Sequence, residues 1–145
     1  MIKRVLVPLD TTETTEDILP IAAMLATAGA TVRVIHVAPV PDNVVTPEGR
    51  TVAYADQEMA SAQALWSDSL RDTAARLHGA VDHVVRFGDA ASEILTEAEA
   101  FGADTILVTT GTRSSVKRAL LGSVAEAMLR RARIGVLLYR PPRDL

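Results

Sequence analysis

The chain has 145 residues, of which 48% are hydrophobic and 23% charged, and its formal net charge is −3. This length suits one domain with a full hydrophobic core, and the charge provides no basic field that would attract nucleic acid or membranes. The sequence has no cysteine, which excludes disulfides, thiol catalysis and cysteine-ligated metals. Its apolar stretches are shorter than the roughly 20 residues of a membrane span, and its N-terminus lacks a signal-peptide core, so we expect a cytoplasmic protein.

Short apolar segments alternate along the chain with segments in which apolar residues recur at helical spacing. The apolar segments lack a period of two, which is typical of strands buried on both faces of a parallel sheet. Pro20 lies inside the first helical segment, so we expect that helix to start late or to bend there. The segment 38–49 contains three prolines and predicts a loop. The predicted strands are 4–8, 32–37, 81–87, 105–109 and 136–139, and the predicted helices are 15–28, 51–77, 90–101 and 125–132.

This alternation predicts one α/β domain over residues 1–145, with a doubly wound sheet of five parallel strands and helices on both faces. In such sheets ligands bind at the carboxyl ends of the strands, where the strand order reverses. Two strand ends carry small, polar or helix-capping residues that suit a binding crevice. They run from Pro8 to Asp10 after the first strand and from Thr109 to Gly111 after the fourth. We therefore expect the functional site between these two strand ends.

The segment 109–124 joins the fourth strand to the last helix. Gly111 follows the strand, and Gly122-Ser123 precedes the helix. A loop that ends at a helix N-terminus directs backbone N–H groups and the positive end of the helix dipole toward an anion. The loop also carries three cations, Arg113, Lys117 and Arg118. These features predict a phosphate-binding loop.

The same residues also have interpretations that need no ligand. Gly111 would end a strand in a tight turn, and Gly122-Ser123 would cap a helix whether or not a ligand binds. Asp10 would cap the first helix instead of contacting a ligand. The cations Lys117 and Arg118 would lie on a solvated face. The sequence leaves both interpretations open for each position.

Other chemistries find little support in the sequence. His36 lies inside an apolar strand and is interpreted as a packed core histidine, neither a catalyst nor a metal ligand. Trp66 is expected on the core side of the long helix. The sequence contains no P-loop, no G-x-G-x-x-G fingerprint and no G-x-S-x-G nucleophile elbow. No paired carboxylates stand at the strand ends, so no catalytic residue and no metal site are predicted.

The whole chain resembles the universal stress protein family, and four stretches carry the resemblance. They are VLVPLD at 5–10, VIHV at 34–37, FGD at 87–89, and the segment 103–132, which includes ADTILVTTGTR and LLGSVAEAMLRRA. The last segment is the most specific of the four. The resemblance implies a Rossmann-like sheet in strand order 3-2-1-4-5, a cytoplasmic stress-response protein, a homodimer and an adenine-nucleotide site.

The phosphate loop departs from the pattern G-x2-G-x9-G-[ST] of the family's nucleotide-binding members. Gly111 and Gly122-Ser123 match its two ends, but Ser114 stands where the second glycine would be. Ten residues separate the two glycines where the pattern has twelve. Because a glycine there allows close backbone approach to phosphate, its loss weakens the site. We expect ATP with magnesium to bind weakly, the purified protein to carry little or no nucleotide, and an anion to bind at Gly122-Ser123.

By resemblance, ten residues form the nucleotide site. Pro8 and Asp10 would line the ribose and base side, and Val37 would present its backbone to the adenine. The other seven belong to the loop, where Thr110, Ser123 and Val124 would flank the phosphates. The loop residues are Thr110, Gly111, Arg113, Ser114, Gly122, Ser123 and Val124.

Three functional hypotheses follow from the sequence. The first is a dimeric stress-response regulator with a weak adenine-nucleotide site. The second is a nucleotide-free dimeric module that acts through unknown partner proteins. The third is a small nucleotide-dependent enzyme with at most weak ATP hydrolysis, which the lack of a paired acid and base opposes. The dimer is predicted through the last strand, where Val136, Leu137 and Leu138 form an apolar sheet edge.

Overall fold

A computed structural model describes residues 1–10, 12–42, 44–110 and 122–142. Apart from two short strands that follow β2, strands and helices alternate through this part of the chain, and none of its helices is long and apolar enough to cross a membrane. The elements are β1 Arg4–Pro8, α1 Thr12–Thr27, β2 Thr31–Ala38, β3 Val44–Val45, β4 Thr51–Ala53, α2 Ala55–Ala75, β5 Val81–Phe87, α3 Ala90–Phe101, β6 Thr105–Thr109, α4 Ser123–Arg131 and β7 Gly135–Tyr139.

Five strands form one parallel sheet in the order β5-β2-β1-β6-β7. Numbered along the chain within this sheet, the order is 3-2-1-4-5, which confirms the predicted fold. The chain moves from β1 outward to β2 and β5, and then returns to add β6 on the other side of β1. The strand order therefore reverses between β1 and β6, where their carboxyl ends leave room for a ligand.

Helices cover both faces of this sheet, and consecutive strand residues face opposite sides. On one face Val5, Val7 and Val34 pack against α1 and α2, and on the other Leu6 and Ile35 pack against α3 and α4. All five side chains are fully buried. Because both faces are covered, apolar residues occupy consecutive positions of the central strand β1, from Val5 to Val7, and this explains why the sequence shows no period of two there.

Two predictions about local structure are wrong, namely the late start of the first helix and the loop at 38–49. Helix α1 begins at Thr12, earlier than expected, and contains Pro20 in its interior. Pro20 and Glu16 are both exposed, so water can solvate the Glu16 carbonyl that Pro20 cannot bond. The segment predicted as a loop contains β3, which pairs antiparallel with β4, and α2 consequently begins only at Ala55. The β-branched residues of β3 and β4 favour this short hairpin over an extra helical turn.

Candidate functional site

A crevice of about 190 Å³ opens at the carboxyl ends of β1, β2 and β6, on the sheet face covered by α3 and α4. Its walls are largely apolar and include Ile35, Ile94 and Val108. The exposed carboxylate of Asp10 stands on one rim, and the start of α4 at Gly122 stands on another. An apolar cleft with a few polar groups converging on it is the usual form of a small-molecule site.

The backbone of Val37 points into this crevice. In a parallel strand, consecutive residues bond alternately to the two neighbouring strands. Within β2, Val32 N–H donates to the Ala80 carbonyl next to β5 at 2.8 Å, whereas the Ile35 carbonyl accepts from Leu9 N–H beside β1 at 2.8 Å. Val37 lies two residues after Ile35, so its N–H and C=O also face the β1 side. The register of β1 with β2 ends at Pro8, and among the described residues neither group of Val37 has a backbone partner, so both face the crevice.

The start of α4 directs backbone N–H groups to the same crevice, and no described residue outside the helix accepts a hydrogen bond from them. Gly122 occupies the N-cap without any side-chain cap, and Glu126 N–H makes the first helical bond, to the Gly122 carbonyl at 3.0 Å. The N–H groups of Ser123, Val124 and Ala125 therefore have no acceptor within the helix. Together with the helix dipole, they form an arrangement that binds anions.

The conformation of Gly122 does not itself require glycine. Its φ is −58°, which any residue adopts, and a Cβ built there meets no described atom within 4 Å. No described atom fills the space in front of the helix N-terminus that a side chain at Gly122 would take. A ligand that approaches the backbone closely would use this space.

Helix α3 also begins beside the crevice, but its N-terminus is already satisfied. The Asp89 carboxylate accepts from Ser92 N–H at 3.0 Å, and Arg131 lies nearby, within 3.4 Å of the Ser92 hydroxyl. The Ser92 backbone N–H, followed by the Ser92 hydroxyl, holds the pKa of Asp89 below its ordinary value. A carboxylate of the chain thus already occupies the N-terminus of α3, which makes the N-terminus of α4 the better place for a ligand anion.

A model of the universal stress protein family matches residues 1–140. The chain belongs to this family. Among curated proteins, a sequence search gives no match.

Solved structures share the fold of this universal stress protein. The hypothetical protein MJ0577 has a TM-score of 0.80 at 23% identity, with 99% of each chain covered. A family member from Burkholderia pseudomallei has a TM-score of 0.67 at 27% identity, covering 97% of this chain and 96% of that one. The universal stress protein from Archaeoglobus fulgidus in complex with dAMP has a TM-score of 0.58 at 20% identity, covering 95% and 98%. Structures of the same fold were also solved with cAMP and, for a protein from Arabidopsis thaliana, with AMP.

The crevice of this universal stress protein brings together six of the ten residues predicted for the nucleotide site. These six are Pro8, Asp10, Val37, Gly122, Ser123 and Val124. Thr110 does not line the crevice, because its N–H extends the sheet and donates to the Tyr139 carbonyl at 3.1 Å. The remaining three, Gly111, Arg113 and Ser114, lie outside the described residues, as do Lys117 and Arg118.

Several crevice residues escaped the sequence analysis. Ile35 and Val108 were recognised only as strand residues, and Ala90 and Ile94 only as part of a helix. The FGD stretch at 87–89 could have predicted Ala90 and Ile94, because it places the start of α3 at the same sheet edge as the ends of β1 and β6. Among the described residues, no group of His, Cys, Asp and Glu could hold a metal ion.

Proposed function

We propose that this universal stress protein is a cytoplasmic stress-response regulator that binds an adenine nucleotide in the crevice between β1 and β6. One observation carries the proposal. The backbone N–H and C=O of Val37 and the N-terminus of α4, for which the described part of the chain supplies no partners, face one apolar crevice. The first suits the edge of a purine base, and the second suits a phosphate. Complexes of similar folds with AMP, dAMP and cAMP support the same ligand class.

Each part of the nucleotide has a matching group in the crevice. Adenine offers a ring nitrogen that accepts and an amino group that donates, which the N–H and C=O of Val37 complement. Ile35 and Ile94 would cover its apolar faces. The Asp10 carboxylate would accept hydrogen bonds from the ribose hydroxyls, and the first N–H groups of α4, starting at Ser123, would bind the phosphate.

The shortened loop makes the proposed binding weak. Without one glycine and two loop residues, the site loses about two backbone hydrogen bonds to charged phosphate, each worth about 1.5–3 kcal/mol. Because 1.4 kcal/mol corresponds to a factor of ten in affinity, the loss is about a hundredfold or more. ATP with magnesium would then bind toward the millimolar range. Asp10 is the one carboxylate among the described crevice residues, so at most weak ATP hydrolysis is expected.

Isothermal titration calorimetry with AMP, and with ATP in the presence of magnesium, tests the proposal. Wild-type protein should bind both weakly. Gly122→Ala and then Gly122→Val should weaken binding in that order, because each fills more of the space before α4, while circular dichroism remains unchanged. Arg71→Val, on the exposed face of α2, serves as a control that leaves binding unaffected. Weak binding that survives Gly122→Val would show that the site lies elsewhere, and sub-micromolar binding would contradict the estimated loss.

We further propose that two copies associate through β7. This strand pairs with β6 on one side and forms the edge of the sheet on its other side. Leu137 is 37% exposed there, between Val136 and Leu138. An apolar edge strand with free backbone groups favours pairing with a second copy about a twofold axis.

A second candidate function is a dimeric module that binds no nucleotide and acts through partner proteins. The shortened loop, with Ser114 in place of glycine, favours this candidate. Absence of any heat of binding at millimolar AMP and ATP, in protein shown to be a dimer, would select it over the first.

A further inference from the structure

A buried histidine holds the backbone next to the crevice. His36, in β2, is buried, and its Nδ1 lies 2.8 Å from the Leu9 carbonyl oxygen. Because a carbonyl oxygen only accepts, Nδ1 carries the hydrogen and donates it. On the side of the imidazole that faces α2, the ring of Trp66 stacks on it at a centroid distance of 3.5 Å and an interplanar angle of 22°. The imidazole is thus fixed between the sheet and α2.

The ladder between β1 and β2 ends beside this hydrogen bond. The last rung is the bond from Leu9 N–H to the Ile35 carbonyl. In a parallel ladder the next rung would be Val37 N–H donating to the Leu9 carbonyl. Within the described part of the chain, that carbonyl accepts from His36 instead, and the register stops at Pro8. Val37 N–H is consequently left for the crevice.

We infer that His36 is a positioning residue of the adenine site. By holding the Leu9 carbonyl, it keeps Val37 N–H available to the edge of a purine base and fixes the backbone from which Asp10 reaches the rim. This inference rests on the proposed nucleotide site and deepens it. Without the imidazole donor, the Leu9 carbonyl would satisfy itself with Val37 N–H, since a buried acceptor rarely stays unpaired. The ladder would gain a rung, and the base would lose its donor.

Two substitutions separate the hydrogen bond from the stacking. His36→Asn keeps an amide N–H close to the position of Nδ1 but removes the ring that stacks on Trp66. His36→Phe keeps a flat ring against Trp66 but removes the donor. We expect His36→Phe to weaken AMP binding about tenfold, as the loss of one hydrogen bond implies, and His36→Asn to remain within about threefold of wild type. Inorganic phosphate should bind equally to all three proteins, because α4 does not contact His36.

Amide hydrogen exchange at Val37, measured by NMR without nucleotide, tests the inference independently of binding. Val37 N–H should exchange rapidly in wild type and in His36→Asn, and slowly in His36→Phe, where the new rung protects it. Slow exchange in the wild-type protein would overturn the inference even if the Phe variant does not fold. A loss of AMP affinity in His36→Asn as large as in His36→Phe would overturn it as well. If wild type binds no AMP, the proposed nucleotide site fails, whereas the exchange rates still decide the role of His36.

Discussion

Replacing Glu97 with Gln should destabilise the protein more than the other charge-removing substitutions described below. Glu97, on α3, is 4% exposed and lies between two arginines. Its Oε1 accepts from Arg33 at 2.8 Å, and its Oε2 accepts from Arg86 at 2.6 Å. This carboxylate ties α3, which forms one wall of the crevice, to β2 and β5.

The expected loss of stability depends on the contacts and the solvent exposure that the two arginines retain after the substitution. Removing one partner of a buried ion pair costs about 3–5 kcal/mol. Here the arginine side chains are 25% and 27% exposed, so water compensates part of that loss. Arg33 also keeps Asp82, whose hydrogen bond is the main reason that the pKa of Arg33 is raised. We therefore expect Glu97→Gln to lower the free energy of unfolding by about 2–3 kcal/mol.

Urea unfolding followed by circular dichroism measures this change, with the slope of the free energy against urea expected to stay constant. The melting temperature should fall by roughly 5–10 °C for a chain of this length. Glu93→Gln is the matched control, because Glu93 lies on the same helix at 3.8 Å from Arg86 and is 26% exposed. It should cost under about 1 kcal/mol. Equal costs for the two variants, or a Glu97→Gln protein as stable as wild type, would refute the reasoning.

Three more predictions concern association, acid stability and backbone strain. Leu137→Lys should convert a dimer to monomers in sedimentation velocity at micromolar concentration, while Leu65→Lys on the exposed face of α2 should not, and a monomeric wild type would contradict the proposed dimer. Burial raises the pKa of Asp104, but the backbone N–H groups of Arg4 and Lys3, together with the Thr105 hydroxyl and the N-terminal charge, outweigh burial and hold that pKa below its ordinary 3.8. The stability linked to this carboxylate is fully present above its ordinary pKa and is lost as the pH falls through its lower pKa in the folded protein. Asp104→Asn should therefore be less stable than wild type at pH 7. In urea unfolding below about pH 4, the variant should lose less stability than wild type. Gly79→Ala should cost about 1–3 kcal/mol in urea unfolding, since its φ is +117° and the new Cβ would lie 3.0 Å from a backbone oxygen, whereas Gly122→Ala should cost almost nothing.

The strands and α3 were predictable because the sequence marks their ends. Helix α3 has the predicted bounds, since Asp89 caps its start and Gly102 follows its end. The hairpin of β3 and β4 was not predictable, because segments of two and three residues are too short to show a pattern of their own beside the helical spacing that follows. Within α2, Trp66 packs against the core as expected, whereas its neighbour Leu65 is exposed. Periodicity defines a helix face only to within about one residue on either side.

The candidate site was predictable only where residues directly follow a strand or precede a helix. Asp10 and Gly122 meet that condition, and the structure places both at the crevice. Thr110 also directly follows a strand, yet its N–H donates to the carbonyl of Tyr139 in β7 and is not available to the crevice. This pairing depends on how far β7 extends, which the sequence around Thr110 does not encode. The role of His36 depends on a contact with Leu9 across 27 positions of sequence, which no local pattern encodes.

Trp66 is the one tryptophan of the chain, and it stacks on the imidazole that holds Leu9. Its fluorescence therefore reports on a single place in the molecule. Emission from an indole depends on the ring pressed against it, so any ligand that shifts Leu9 and with it His36 changes the signal without contacting Trp66. The protein carries its own optical probe on the sheet face opposite the crevice, where a ligand bound in the crevice cannot quench it by contact.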